Sequence, residues 1–255
     1  MSRHPIHLGL HNHTNASDGF FTPQQLLDQA RQQNYEWLVI TDHNTVHSWL
    51  GLDLPSNVAG GIEMSGLCER TATEVHLLGY GLTMTPELLE YSQQFYDYSL
   101  QVWLETLVNL GVKQLPQSLE ERSQAIQALM EQGISAHTIL NEACRIQGRY
   151  REVGKAPEFL AVTEAVNLLH RADGKVSVAH PQRYPQAMHE DFLERVDALE
   201  VYHPSHSPAA REHWRSIALR LDKQVTGGHD FHGWNQPHRL PQPLRLDDER
   251  LLARP

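Results

Sequence analysis

Histidine is the residue to follow first along this chain, because imidazole binds divalent cations and titrates near neutrality. There are 17 in 255 residues. His11 and His13 lie two apart, so on an extended chain they point to the same side and can hold one cation. Asp230 and His232 repeat that spacing with a carboxylate in place of one imidazole. Imidazole plus carboxylate suits Zn, Mn or Fe, and a coordination position left over makes such a site catalytic rather than structural. Bound water then becomes hydroxide near neutral pH, and two ions about 3.5–4 Å apart can share it while clamping a phosphoryl oxygen. Taken singly, each piece has a plainer reading. An isolated H-x-H pair is weak evidence, a lone His after a strand is ordinarily a hydrogen-bonded loop residue, Asp18-Gly19 reads as a turn, and Asp42 reads as a helix cap. The joint pattern is what counts, and it depends on the elements that carry these residues.

Strand and helix patterns alternate along the chain, which predicts an α/β fold. Strands are expected at Ile6 to Leu10, Trp37 to Ile40, Val58 to Glu63, Val75 to Tyr80, Lys175 to Ala179, Ala198 to Tyr202 and Gln224 to Thr226, seven in all. Thr22-Pro23-Gln24-Gln25 carries the cap, the first-turn proline and the capping-box partner of a helix through about Gln33. Thr85-Pro86 opens a long helical stretch, with further helices at 118–132 and 137–147, then from Ala165 to Arg171 and from Pro208 to Leu221. Nearly every strand delivers a potential ligand: His11-Asn12-His13, Thr41-Asp42-His43-Asn44, Glu63, His76, His180-Pro181, His203, and His229-Asp230-Phe231-His232. In parallel β/α barrels the C-terminal strand ends meet on one face, so a single mouth would collect them. His4, His47, His137, His170, His189, His213 and His238 fall off this pattern and are expected in surface or packing roles. Tyr91, Phe95 and Tyr98 are expected to pack a helix.

At these residues the sequence resembles the PHP family, named for polymerase and histidinol phosphatase. The motifs are His11-Asn12-His13-Thr14 with Ser17-Asp18-Gly19, Thr41-Asp42-His43-Asn44, Gly61-Ile62-Glu63, Val75-His76-Leu77-Leu78-Gly79-Tyr80, Ala179-His180-Pro181 and Asp230-Phe231-His232. They span most of the chain in order and spacing. The resemblance implies a distorted seven-stranded (β/α)7 TIM-like barrel, here one domain over residues 1–255 with a helical insertion at about 85–160. It further implies two or three divalent ions (Mn, Fe or Zn). His11, His13, Glu63 and Asp230 would hold one, Glu63 would bridge to a second on His76 and His180, and Asp18, His43 and His232 would hold a third. Turnover would use a metal-bridging hydroxide in line with phosphorus, with Glu63 at its centre. Arg183 and His203 are the candidates for gripping phosphate or protonating the leaving oxygen. The long insertion and Glu200-Val201-Tyr202-His203-Pro204 resemble the small stand-alone members acting on nucleotides, such as nucleoside 3′,5′-bisphosphate phosphatases and short-RNA 5′ exonucleases. Histidinol phosphatases look less similar. Two departures stand out: Gly9 replaces an acidic residue common two before the first ligand His, and His229 replaces a common Ser before the ligand Asp.

Composition sets the remaining bounds. The chain is 40% hydrophobic and 20% charged, and it has no apolar run near the ~20 residues of a membrane span. The start, Met1-Ser2-Arg3-His4-Pro5, has no apolar signal region, which predicts a cytoplasmic protein. Cys68 and Cys144 form no C-x-x-C, against thiolate zinc and against a disulfide framework. A net charge of -10 disfavours a duplex nucleic acid footprint. It leaves room for a small anionic substrate where bound cations reverse the local sign. The expected partner is a small phosphorylated molecule, a nucleotide or short oligonucleotide, and nothing points to a protein partner. Amide or lactone hydrolysis and a non-catalytic barrel are the competing classes. Arg183, Arg149, Arg151 and Lys155 favour phosphate if they face the metals, and no expected ligand is lost.

Overall fold

Local chemistry starts the helices where expected. Thr22 Oγ1 accepts from the Gln25 N–H, and Gln25 Oε1 accepts from the Thr22 N–H, the reciprocal pair that closes the first turn of α1, Pro23–Gln32. The computed structural model describes residues 6–235 and 239–252. His4, His238 and the first five residues lie outside these. In chain order β1 is Ile6–Gly9, β2 Trp37–Ile40, β3 Val58–Leu67 and β4 Glu74–Tyr80. Three helices follow: α2 Pro86–Asn109, α3 Leu119–Glu131 and α4 Ala136–Glu152. Thereafter come β5 Leu160–Ala161, α5 Val162–Arg171, β6 Lys175–Val178, α6 Glu190–Leu193, β7 Ala198–Tyr202, α7 Pro208–Arg220, β8 Gln224–Gly227 and β9 Leu244–Leu246. All seven expected strands are present, and β5 and β9 are additional.

The sheet runs β8-β7-β6-β4-β3-β2-β1-β9, with β5 paired to β3. It is nearly closed, because Leu10 N–H donates to Gly227 O at 3.2 Å and His13 N–H donates to Phe231 O at 2.8 Å, joining β8 and the chain after it to the chain just past β1. Two features break the all-parallel expectation. β4 is antiparallel to both β3 and β6, and β9 is antiparallel to β1. β3 also continues past the expected end at Glu63. Its first residues pair with β2 as far as Gly60, and from Gly61 to Leu67 it pairs with β4 as a hairpin. Glu63 therefore sits mid-strand. His76 lies near the start of β4, and because β4 runs in the reverse direction its start reaches the mouth that the other strands reach with their ends.

Two buried clusters hold the fold. One fills the interior and the α5 and α7 side, with Leu8, Ile62, Leu77, Val178, Leu199 and Trp214 among its members. The second joins Leu26, Leu38 and Ile40 to Trp103, Ile126 and Ile139, so α2, α3 and α4 share a core with α1 and β2. Trp103 stacks on Trp234 at 5.8 Å and 15° within it. Each fully buried large apolar side chain contributes about 1.5–3 kcal/mol. Among the described residues, no helix is long and apolar enough to cross a membrane.

Candidate metal centre

Glu63 is the hub of the mouth. Its side chain is fully buried, and five imidazoles surround it. Oε1 lies 2.9 Å from His76 Nδ1 and 3.1 Å from His180 Nε2, and Oε2 lies 3.1 Å from both His11 Nε2 and His13 Nε2 and 3.3 Å from His43 Nδ1. Asp230 Oδ1 approaches the same two nitrogens of His11 and His13, at 3.4 and 3.3 Å. Asp18 is 3.3 Å from His232 Nε2, 3.7 Å from His13 Nδ1 and 3.8 Å from His43 Nε2. All nine expected ligands thus come together.

Three sets of donor atoms are close enough to share an ion: His11, His13, Glu63 and Asp230; His43, Glu63 and His76; and His13, Asp18, His43 and His232. The first matches the expected grouping. The other two differ from it: His43 reaches toward both sets, His13 joins the Asp18 set, and His180 meets Glu63 without completing a set. The chemistry of the donors fits a cation. His11 Nε2, both His13 nitrogens and Glu63 Oε2 are buried with no hydrogen-bond partner among the described residues, which is costly for polar atoms unless something else engages them.

The electrostatics agree. Burial alone would lower the pKa of His11, but Glu63, Glu200 and Asp230 raise it well above its ordinary value. His13 likewise, against burial, is raised to about 10 by Asp230 and Glu63, and His76 to about 9 by Glu63 and Glu74. Burial wins for His43, lowered to about 4, and for His180. Burial would raise the Asp18, Glu63 and Asp230 carboxyls, yet the imidazoles hold all three below the usual carboxylate range. A field that draws protons onto imidazoles draws a divalent cation more strongly, and metal replaces those protons.

Surrounding residues fix this geometry. Glu200 is fully buried. One oxygen lies 3.1 Å from His11 Nδ1 and the other accepts from the His180 N–H at 2.8 Å, the kind of support that orients a metal-binding imidazole. Asp42 caps no helix. It accepts from Thr14 N–H, Thr14 Oγ1 and Ser17 Oγ, and so ties down the loop that presents Asp18. Tyr184 OH donates to Ala179 O beside His180. His180 and Asp230 adopt positive φ, 26° and 51°, backbone strain of the kind that clusters at functional sites. A Cβ at position 9 would meet Tyr35 Cε1 at 2.5 Å, so an acidic side chain there would have to displace the Tyr35 ring. Gly228 is similarly crowded: a Cβ there would meet His11 Cβ at 2.3 Å, so only a glycine lets the chain after β8 lie this close to the first ligand. His229 is half-buried, and its Nδ1 has no partner among the described residues.

Arg183 and His203 reach the mouth as expected. Arg183 Nη2 donates to Asp230 Oδ2 at 2.8 Å, and His203 Nε2 is 3.6 Å from the same atom. Beside the imidazoles a cavity of about 210 Å³ is lined by Asp18, His43, His76, Phe95, Arg151 and Phe159, among others. Tyr98 lines it too, so two of the three aromatics whose first reading is helix packing, with a pocket wall as the alternative, face the cavity. Tyr91 is buried and donates to Asn44 Oδ1. Arg151 faces the cavity. Arg149 pairs instead with Glu105, and Lys155 lies over the Tyr150 ring.

No family model matches the chain. It is 28% identical over 252 residues to a 5′-3′ exoribonuclease of Escherichia coli, covering 88% of this chain and 84% of that one. It is also 28% identical over 245 residues to a phosphoribosyl 1,2-cyclic phosphate 1,2-diphosphodiesterase of Eggerthella lenta, covering 88% and 93%. Its fold is that of a Bifidobacterium adolescentis chain assigned as a metal-dependent phosphoesterase, with a TM-score of 0.61, 24% identity and coverage of 96% and 94%. The PHP resemblance stands. The PHP motifs quoted from the sequence are the segments that build the imidazole and carboxylate cluster. Asp42 and Glu200 lie inside the quoted segments without a supporting role having been assigned to them, and Tyr184 lies outside those segments.

Proposed function

We propose that this chain is a metal-dependent phosphoric ester hydrolase that acts on a nucleotide or short oligonucleotide. The observation that carries the reading is the convergence of five imidazoles on the buried Glu63 beside a cavity lined by aromatic rings and by Arg151, which lies 4.0 Å from Glu74. The relatives support it, since an exoribonuclease and a phosphoribosyl cyclic phosphate diphosphodiesterase both cleave phosphate esters of ribose compounds. We read residues 1–255 as one domain, a distorted seven-stranded TIM-like barrel bearing the 85–160 helices as an insertion.

His11, His13, Glu63 and Asp230 would hold one divalent cation, His76 and His180 with Glu63 a second, and Asp18, His43 and His232 a third, with His13 near enough to assist. Bound, these ions would supply an activated water and neutralise charge on the phosphoryl oxygens. The chain's own residues do the rest. His203 Nδ1 accepts from the Ser205 N–H at 3.1 Å, so the neutral ring carries its proton on Nε2, which faces Asp230. That proton is placed for the leaving oxygen. Arg183, already paired at the mouth, would turn its fork to the phosphate. Phe95 and Phe159, parallel within 7° and 5.9 Å apart, offer faces for a base, and stacking on such faces is sequence-tolerant. Arg151, 5.3 Å from the Phe159 ring, would meet a further phosphate. The cavity is too small for a duplex, and Arg151 together with cations held by the ligand cluster would favour phosphate over an amide or lactone.

The test is phosphate release from a panel of nucleoside monophosphates, 3′,5′-bisphosphates, short oligonucleotides and histidinol phosphate, with Mn supplied. Release from a nucleotide class is expected. Release from histidinol phosphate alone, or turnover confined to a lactone or amide, would contradict the reading.

A further inference from the structure

Arg122, on α3, is only 2% exposed, and none of its three guanidinium nitrogens has a hydrogen-bond partner among the described residues. Its charge stands 5.7 Å over the Trp103 ring. Burial lowers its pKa to about 10, partly offset by Tyr96 and Asp42, so it remains charged at neutral pH. A buried guanidinium with five N–H donors unanswered is a costly arrangement that a fold rarely keeps without a partner. Beside it is a cavity of about 170 Å³ between α2 and α3, walled by Tyr96, Leu100, Leu104, Ser118 and Leu119 and lined by no acidic residue. The planar fork of arginine matches an oxyanion in two-point contact.

We propose that this cavity is an oxyanion site, separate from the metal mouth, that takes a phosphate group on Arg122. Trp103 divides the two places: one ring lies under Arg122 and also lines the cavity at the mouth. The site is tied to the loop that presents Asp18, because Trp103 Nε1 donates to Ser17 O at 2.6 Å and Asn15 Nδ2 donates to Leu119 O at 2.6 Å. Phosphate held there would brace that loop from behind. Free phosphate and the second phosphate of a nucleotide share the chemistry required. The inference stands on Arg122 and its cavity and does not need the metal-centre reading.

The experiment is calorimetric titration of inorganic phosphate into the metal-loaded protein, its Arg122→Met variant and its Leu100→Trp variant. Arg122→Met removes an unpaired buried charge and is expected to fold. Leu100→Trp keeps the charge and fills the cavity, which preserves the test should the first variant not fold. Wild type is expected to bind one phosphate beyond any taken at the metal mouth, and both variants are expected to hold that further phosphate about 10- to 100-fold more weakly, the scale of losing charge-assisted hydrogen bonds. A parallel measurement of KM for a nucleoside monophosphate and a 3′,5′-bisphosphate separates the sources. A rise for the bisphosphate alone in Arg122→Met assigns the site to the substrate's second phosphate, and no rise assigns it to free phosphate. Equal phosphate binding by all three proteins, with an unchanged KM ratio, would overturn the proposal. Loss of turnover in wild type would instead count against the proposed function and leave the phosphate count intact.

Discussion

Replacing Glu63 by Gln is the most informative single perturbation. The change is nearly isosteric, and the side chain is fully buried, so packing is preserved and only charge and donor pattern alter. Both carboxylate oxygens are in use, Oε1 facing two imidazoles and Oε2 three, all at 2.9–3.3 Å. An amide can present one acceptor only, and its NH2 would face nitrogens that must give their lone pairs to a cation. Breaking a buried charge pair on one side costs about 3–5 kcal/mol, which converts to roughly 10²- to 10⁴-fold in kcat/KM if the loss falls on the transition state. The assay is phosphate release from the best nucleotide, alongside elemental analysis and thermal denaturation of the same preparations. Expected are a fall of that size, at least one equivalent of metal lost, and a metal-free Tm below wild type, because the protonated imidazoles lose the carboxylate that pairs them. A Gln variant with wild-type kcat/KM and a full metal complement would refute the reasoning, because Glu63 belongs to two of the three donor sets.

Other outcomes follow from the same contacts. His13 and His76, raised to about 10 and 9, stabilise the metal-free fold fully below their unfolded pKa of about 6.5 and stop doing so as pH rises through 9–10. The Tm of chelator-treated protein should therefore fall across that window while metal addition releases protons; a rising Tm with no proton release would contradict it. Glu200→Gln should weaken metal binding about 10- to 100-fold through His11 and His180, seen by competitive chelation, and unchanged affinity would show that Glu200 does not orient them. Arg183→Ala should chiefly raise KM, by about tenfold given its half-exposed setting, and an unaltered KM and kcat would remove it from the phosphate grip. His11→Ala should cut turnover by about two orders of magnitude or more with the circular dichroism spectrum unchanged. Retained activity with metal still bound would contradict its role.

The ligands were legible because their motifs are local. H-x-H, D-F-H and a strand ending in His-Pro each show their chemistry within a few residues, and strand order then brings them to one mouth. The supporting residues were not legible, because their roles depend on distance along the chain. Glu200 lies 189 residues from His11, and Asp42 reads as a cap until the 14–17 loop is seen folded onto it. By sequence position alone, Arg149 and Lys155 are equivalent to Arg151. Yet residues two apart on a helix differ by about 200°, so Arg149 faces Glu105 while Arg151 faces the cavity. That periodicity was available in the sequence. The hairpin of β3 with β4 was hidden because a buried strand pattern does not reveal its partner's direction.

The central claim is that the clustered imidazoles and carboxylates hold catalytic metal. Elemental analysis and nucleotide phosphate release, measured on one preparation before chelation, after chelation and after Mn is restored, test it most directly. About two or three equivalents of metal, with activity that disappears on chelation and returns with Mn, is the predicted result. Protein free of metal as purified that takes up none, or phosphate release undiminished by chelation, would contradict it.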